Sequence, residues 1–338
     1  MHMINLALVG AWHVHTEGFV QDALNTGEAN LTVVWDDDEL RGKAMAETFD
    51  VPFESELDKV LQDPSIHAVI VEAATTIHKE VIIRCAKAKK HIFSDKALAL
   101  SVEDCLEIKE AIDENNVKFV VSLESKVYGT YRYAKDLIEE GKLGKVTGVY
   151  FRRTHQAAVD KTMLPAYWFN QEETGGGVTL DLGCHGLYLL PYFCGNPKKV
   201  TCLMNELYGT GSDENSTTII EFEEGAIGTA HTSYVSSRLD NLLEIIGTEG
   251  SVLITGKGAG HFKMFLQSNH LQDHEELTAV SNDHLPASEE MPSAQFVRLV
   301  SSPERTHLPE FDIDTGIALS RMIECAYESA KQGKAVWY

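Results

Sequence analysis

The sequence predicts an α/β chain in two parts, a doubly wound parallel sheet followed by an α+β domain with a large open, mostly antiparallel sheet. Three observations predict this. Short β-branched runs alternate with helical patterns through the first third. Beyond about residue 123, strand patterns follow one another with short turns between them. The 338 residues are also more than one core usually serves. The expected division is 1–123 and 124–338.

The first-third strands are expected at INLALV (4–9), LTVVW (31–35), AVIVEA (68–73), HIF (91–93) and KFVV (118–121). Between them, EGFVQDALN places Phe19, Val20, Ala23 and Leu24 on one side of a helix. HKEVIIRCAKAKK does the same with Val81, Ile82, Cys85 and Ala86. VEDCLEIKEAIDENN follows Ser101, a good N-cap. Such alternation with apolar strands means a parallel sheet covered on both faces.

In the second part, YGTYRYAKDLIEEGKLGK reads as a helix stopped at Gly141. Strands are expected at 146–153, 200–207, 216–222, 226–234 and 241–247, with turn signals at 223–225 and 248–250. A helix near 313–331 closes the chain, and 257–312 reads as polar and irregular.

Composition excludes several function classes. There are 51 acidic against 29 basic residues, a formal charge of -22, so the chain lacks the basic footprint that nucleic acid or an anionic membrane requires. It has no eighteen-residue apolar run and no secretory signal pattern. The six cysteines are scattered, without a C-x-x-C pair, as in a reduced cytoplasmic protein.

The stretch VGAWHVHTEGF (9–19) carries the first chemical question. Gly10 stands where a strand turns into a helix, at the ligand edge of a parallel sheet. The helix start offers free amides and a positive dipole end to a pyrophosphate. Yet Trp12, His13 and His15 occupy places where further glycine is expected. A modified dinucleotide fingerprint, a His-x-His metal site and an ordinary tight turn all fit the letters. The metal reading lacks a third ligand with a motif, so no metal is expected.

Asp36 ends the second strand, twenty-six residues after Gly10. A carboxylate there can accept both ribose hydroxyls of NAD and repel a 2′-phosphate, and Asp37 and Asp38 deepen the negative field. It can also be a strand-end turn residue. Arg41 could reach a phosphate, so NADP is the less expected cofactor. Lys96, in SDKALAL (94–100), also sits at the ligand edge, either solvated or as a proton carrier. In ETGGGVTLDLGCHGLYLL (173–190), Asp181 and His185 are four apart and would share one face of an apolar helix. An Asp–His pair is the wiring of a general acid/base histidine, and it can equally be a buried structural pair.

These segments together resemble the Gfo/Idh/MocA oxidoreductases, relatives of glucose–fructose oxidoreductase and myo-inositol dehydrogenase. The resemblance rests on the Gly10 turn, VIVEAATTIHKEVIIRCAKAKKHIFSDKALAL, EGKLGKVTGVYF, GGGVTLDLGCHGLYLL, IIEFEEGAIGTAHTSY and EIIGTEGSVLI, and covers nearly the whole chain. It implies a Rossmann domain (1–123) that binds NAD and a substrate-binding and oligomerisation domain (124–338). It implies hydride transfer between NAD(P) and a sugar, cyclitol or related alcohol. The family's Glu-Lys-Pro motif falls on Asp95, Lys96 and Ala97, and its D-x-x-x-H pattern on Asp181 and His185. Lys96 would then bind or polarise the substrate oxygen, and His185, oriented by Asp181, would accept its proton. The T-P-N-x-x-H segment falls on Thr75, Thr76 and His78, near the cofactor. Trp12, His13, Val14, Asp37 and Asp95 are the other implied cofactor positions. His155 and Tyr234 would line the substrate pocket. A homodimer or homotetramer through the second domain's sheet is implied as well.

Four positions depart from the family pattern, one of them Thr76, which replaces a proline. Trp12 replaces the second fingerprint glycine. Ala97 replaces a proline, so a cis bond there costs ~2.5–4 kcal/mol, and the loop is either trans or keeps that bond. Tyr188 stands where sugar and inositol members often carry an acid, which points away from a simple hexose or inositol. Two other functions stay open: a redox-neutral glycosidase or lyase using NAD transiently, and a non-catalytic NAD(P)-binding sensor.

Overall fold

In a computed structural model describing residues 3–237, 241–257 and 261–338, the chain divides into two compact units. The first comprises residues 1–124, 172–175 and 290–320, and the second the remainder.

The first unit holds a five-stranded parallel sheet, ordered β2-β1-β3-β4-β5. Its strands are β1 (Ile4–Val9), β2 (Ala29–Trp35), β3 (Ala68–Val71), β4 (His91–Ser94) and β5 (Phe119–Val121). The helices are α1 (Thr16–Asn25), α2 (Glu39–Thr48), α3 (Leu57–Gln62), α4 (His78–Lys87) and α5 (Val102–Asn115). Leu6 through Val9 and Ala68 through Val71 are fully buried, as strands covered on both faces must be. Ser101 caps α5, its Oγ accepting from the Asp104 amide at 3.1 Å. Parallel register aligns Leu8 with Ile70 and Ile70 with Phe93, so the ends of β1, β3 and β4 lie side by side.

The second unit is built on a nine-stranded sheet ordered β13-β12-β11-β10-β6-β9-β8-β7-β14. It begins with α6 (Gly129–Glu139) and β6 (Val146–Thr154). After the short α7 (Gln171–Thr174), a π-helical turn over Thr179–Gly183 leads into α8 (Cys184–Cys194). Strands β7 (Pro197–Asn205), β8 (Asn215–Phe222), β9 (Ile227–Ser233), β10 (Asn241–Gly247), β11 (Gly250–Gly256), β12 (Lys263–Ser268) and β13 (Thr278–Ala279) follow. Then come α9 (Pro292–Ser301), α10 (Ile313–Gln332) and β14 (Val336–Trp337). All pairs in this sheet are antiparallel except β6 with β9. Helix α8 packs on β6 and β9, covering one face. On the other, Tyr150, Ile219 and Ile227 remain exposed.

Residues 257–312 are expected to be polar and irregular, and much of the described part is, but β12 and α9 are regular elements within it; 258–260 lie outside the described residues. In β12, Met264, Leu266 and Ser268 alternate inward, a period-two signal too short to stand out. Helix α9 opens with Pro292 in its first turn and buries Ala294, Phe296, Val297 and Leu299. It belongs to the first unit, where it packs on α1 and meets β1, β4 and β5.

Candidate functional site

The polar residues that could do chemistry fall into one group in each unit.

In the first unit, Gly10 has φ +91°, and a Cβ there would lie 2.4 Å from the Ala73 amide nitrogen. Only glycine fits this close approach of the β1 and β3 ends. Helix α1 begins at Thr16 with no side-chain cap at His15, and the Thr16 amide donates to the His13 carbonyl at 3.2 Å. That arrangement fits a dinucleotide pyrophosphate.

Trp12 is buried, its Nε1–H donating to Glu173 Oε2 at 2.9 Å. Thr76 Oγ1 donates to the Glu173 carbonyl at 2.9 Å, so residues 172–175 brace the turn and the Thr75–Ile77 segment together. Val14 is 44% exposed, and the His13 and His15 rings lie 5.1 Å apart.

Asp36 is buried at the end of β2 and richly bonded. Its Oδ2 accepts from the Ala11 amide at 2.6 Å and Arg41 Nε at 3.0 Å. Its Oδ1 accepts from the Asp38 amide and Arg41 Nη2, both at 2.7 Å. Arg41 also reaches Asp37 at 2.8 Å. Burial pushes the Asp36 carboxyl up from its ordinary range, while Arg41 and the amides hold it down. Four donors occupy the carboxylate's lone pairs, so Asp36 ties the Gly10 turn to β2. A ribose hydroxyl would be accepted only as Arg41 swings aside.

The Lys96–Ala97 bond is cis. His78, fully buried, spans this loop: Nδ1 lies 3.0 Å from the Ala97 carbonyl and Nε2 2.9 Å from the Ala73 carbonyl. Burial holds its pKa below the usual histidine value. The ring thus joins the β3 edge to the segment carrying Lys96.

Beside this loop two expected cofactor positions, His13 and Asp95, meet Glu72, which the sequence did not suggest. His13 Nε2 is 3.1 Å from Asp95 Oδ2, and one ligand atom from each of His13, Glu72 and Asp95 lies within 4.8 Å of the others. Glu72 is 0% exposed and its Oε1 has no hydrogen-bond partner; Oε2 is 3.5 Å from Thr16 Oγ1. Burial first, then the Asp95 charge, raises the Glu72 carboxyl well above its ordinary value, with Lys96 opposing. The available signal was a glutamate directly following the apolar run of β3.

In the second unit, Asp181 lies in the π-turn and His185 in the first turn of α8. Asp181 Oδ2 accepts from Tyr234 Oη at 2.5 Å. Trp168 Nε1–H donates to the same Tyr234 oxygen at 3.3 Å, and the His155 ring stacks on Tyr234 at 4.9 Å. Burial, then Asp181, raises the Tyr234 hydroxyl well above its usual pKa, and burial lowers that of His155. His185 is buried, with Nδ1 2.8 Å from Tyr188 Oη and 3.5 Å from Ser125 Oγ. Tyr188 Oη in turn accepts from the Ser125 amide at 3.2 Å. Three expected residues, Asp181, His155 and Tyr234, therefore form one contact group, and Tyr188 takes a role beside His185. Gly177, ahead of the π-turn, donates its amide to Asp213 Oδ1 at 3.0 Å, and a Cβ there would strike the Asp213 backbone.

Among the described residues no helix is long and apolar enough to cross a membrane.

Residues 4–123 match the model of an oxidoreductase family with an NAD-binding Rossmann fold, and residues 131–253 match the GFO/IDH/MocA C-terminal domain. The chain is 28% identical over 281 residues to 2,7-anhydro-N-acetylneuraminate hydratase of Escherichia coli (strain K12), covering 81% of this chain and 73% of that protein. It is 25% identical over 260 residues to myo-inositol 2-dehydrogenase of Thermotoga maritima, covering 74% and 73%. In fold it is similar to levoglucosan dehydrogenase in complex with NADH, with a TM-score of 0.85, 18% identity and 99% of each chain covered.

Proposed function

The chain belongs to the Gfo/Idh/MocA family of oxidoreductases, and from that premise we propose an NAD-dependent dehydrogenase acting on a CH–OH group of a sugar, cyclitol or related hydroxy compound. The observation that carries this reading is the Gly10 turn, where only glycine lets the chain pass close to β3 as it leads from β1 to the start of α1, the position a pyrophosphate takes in such a sheet. Three carboxylates, Asp36 to Asp38, crowd the end of β2, and Arg41 is engaged by two of them. A 2′-phosphate would meet that negative field, which favours NAD over NADP.

The nicotinamide, when bound, supplies the hydride acceptor or donor. Lys96 donates to the substrate oxygen and stabilises negative charge as it builds. His185 exchanges the hydroxyl proton through Nε2, because Nδ1 is engaged by Tyr188. His155, Tyr234 and Asp181 bind the substrate's other polar groups. Trp12, His13, Val14, Asp37, Thr75, His78 and Asp95 are the proposed positions around the cofactor, with His78 acting by bracing the Lys96 loop.

A fluorescence titration with NADH and, separately, NADPH tests the cofactor half, and tighter NADH binding is expected. Lys96→Ala and His185→Ala should each cut turnover about 10²–10⁴-fold with NADH binding retained. Full activity in either variant sinks the mechanism.

A second reading, redox-neutral chemistry through tightly held NAD, draws support from the hydratase relative in E. coli. It predicts substrate conversion without net reduction of added NAD, read at the NADH absorbance.

The outer face of the nine-stranded sheet, with Tyr150, Ile219 and Ile227 exposed, is the proposed homodimer or homotetramer contact. A monomer by light scattering would refute it. Six buried, unbridged thiols fit a reducing compartment such as the cytoplasm.

A further inference from the structure

We propose that His13, Glu72 and Asp95 form a binding site for one divalent first-row transition cation, Zn²⁺ or Mn²⁺, at the edge of the parallel sheet. The three residues come from the Gly10 turn, the end of β3 and the end of β4. Their candidate ligand atoms lie within 4.8 Å of one another, and the side chains are buried: Glu72 is 0%, Asp95 2% and His13 8% exposed.

Two carboxylates and an imidazole this close, out of water, need a compensating positive charge or proton. Protein donors do not meet that need at Glu72, whose Oε1 is enclosed without a hydrogen-bond partner. That oxygen is an independent sign of a ligand, because buried carboxylate oxygens are ordinarily bonded. A divalent cation cancels the charge of both carboxylates and bonds the orphaned oxygen.

The donor set selects the class of ion. One nitrogen and two carboxylate oxygens suit Zn²⁺, Mn²⁺ or Fe²⁺, whereas Ca²⁺ and Mg²⁺ take oxygen sets of higher number. Ligands about 2.0–2.2 Å from one ion lie closer together than the present outer limit, so small side-chain rotations complete the set. Three protein ligands leave a fourth position for water or another oxygen ligand. Lys96, whose charge acts on Glu72, opposes the cation and limits its affinity. The backbone side is firmly set. Trp12 N donates to the Glu72 carbonyl at 2.9 Å, Glu72 N to the Val9 carbonyl at 2.9 Å, and Asp95 N to the Val71 carbonyl at 3.2 Å.

The test is calorimetric titration of the metal-stripped full chain with ZnCl₂ and with MnCl₂, without dinucleotide, beside Glu72→Gln and Asp95→Asn. The wild type should bind one equivalent and melt at higher temperature with metal. Each variant should bind at least tenfold more weakly; Glu72→Gln keeps the shape of the side chain, and circular dichroism checks its fold. The wild-type titration stands even if a variant fails to fold. No saturable binding by the wild type, or equal binding by a folded Glu72→Gln, overturns the site. NADH titration of the same preparation reads the dehydrogenase proposal separately, so one can fail without the other.

Discussion

Around Gly10 the first unit anchors Asp36 and His78 largely with backbone groups, and around Tyr234 the second links its polar residues through other side chains. In the first, Asp36 is fixed by two amides as well as Arg41, His78 faces two carbonyls, and Gly10 lets two strand ends almost touch. In the second, Asp181 meets Tyr234, Tyr234 meets Trp168, and His185 meets Tyr188. A parallel sheet brings strand ends into line and leaves their amides and carbonyls at one edge, so backbone is the cheapest anchor there. A helix broken by a π-turn offers no such row, and the hydroxyl of an aromatic residue spans the gap. The contrast implies that damage should spread in the first unit and stay local in the second.

The largest effect is expected at Gly10→Val. The added Cβ meets the Ala73 backbone at 2.4 Å in a left-handed φ, so the β1 and β3 ends must separate. A loss of about 3 kcal/mol or more in urea unfolding is expected, together with loss of NADH binding. An unchanged midpoint would break the contrast.

Tyr234→Phe comes next. It removes the donor to Asp181 and the acceptor of Trp168, a cost of about 1–3 kcal/mol. Thermal melts should fall while NADH affinity stays as in the wild type. Equal losses in melting temperature and NADH binding would mean that the second unit's network is not local.

The smallest effect concerns acid stability in the first unit. Burial, reinforced by Lys118, depresses His91 from 6.5 to about 4. The unfolded chain therefore takes up a proton before the folded one does, and this contribution to stability is present above 6.5 and lost as pH falls towards 4. His91 Nδ1 accepts the Lys118 amide at 2.9 Å, a bond an asparagine oxygen can replace. His91→Asn should make the fall in stability over that window shallower, read by denaturant midpoints at several pH values. A steeper fall would reverse the assigned sign.

Much of the first unit is legible in the letters. The β-branched runs, the Ser101 cap and the glycine after INLALV depend on local rules of period, capping and φ. Asp36 could be located, but its full set of donors could not be read, because the Ala11 amide reaches it only once β1 and β2 pair. The 3.6-residue period puts Asp181 and His185 on one face, but the π-turn that carries Asp181 is announced by nothing in VTLDLGCHG. Tyr188 was visible as a departure without a stated partner.

The sequence by itself determined the order of the five parallel strands, the family and the glycine at the turn, since each is written within a few consecutive residues. The tertiary structure decided which distant side chains meet. Glu72 reaches His13 and Asp95 only because parallel register sets the ends of β1, β3 and β4 abreast, and Tyr234 reaches Asp181 only because the end of β9 lies against the π-turn. Strand pairing and helix docking follow from burial summed over whole surfaces, and no local stretch carries that sum.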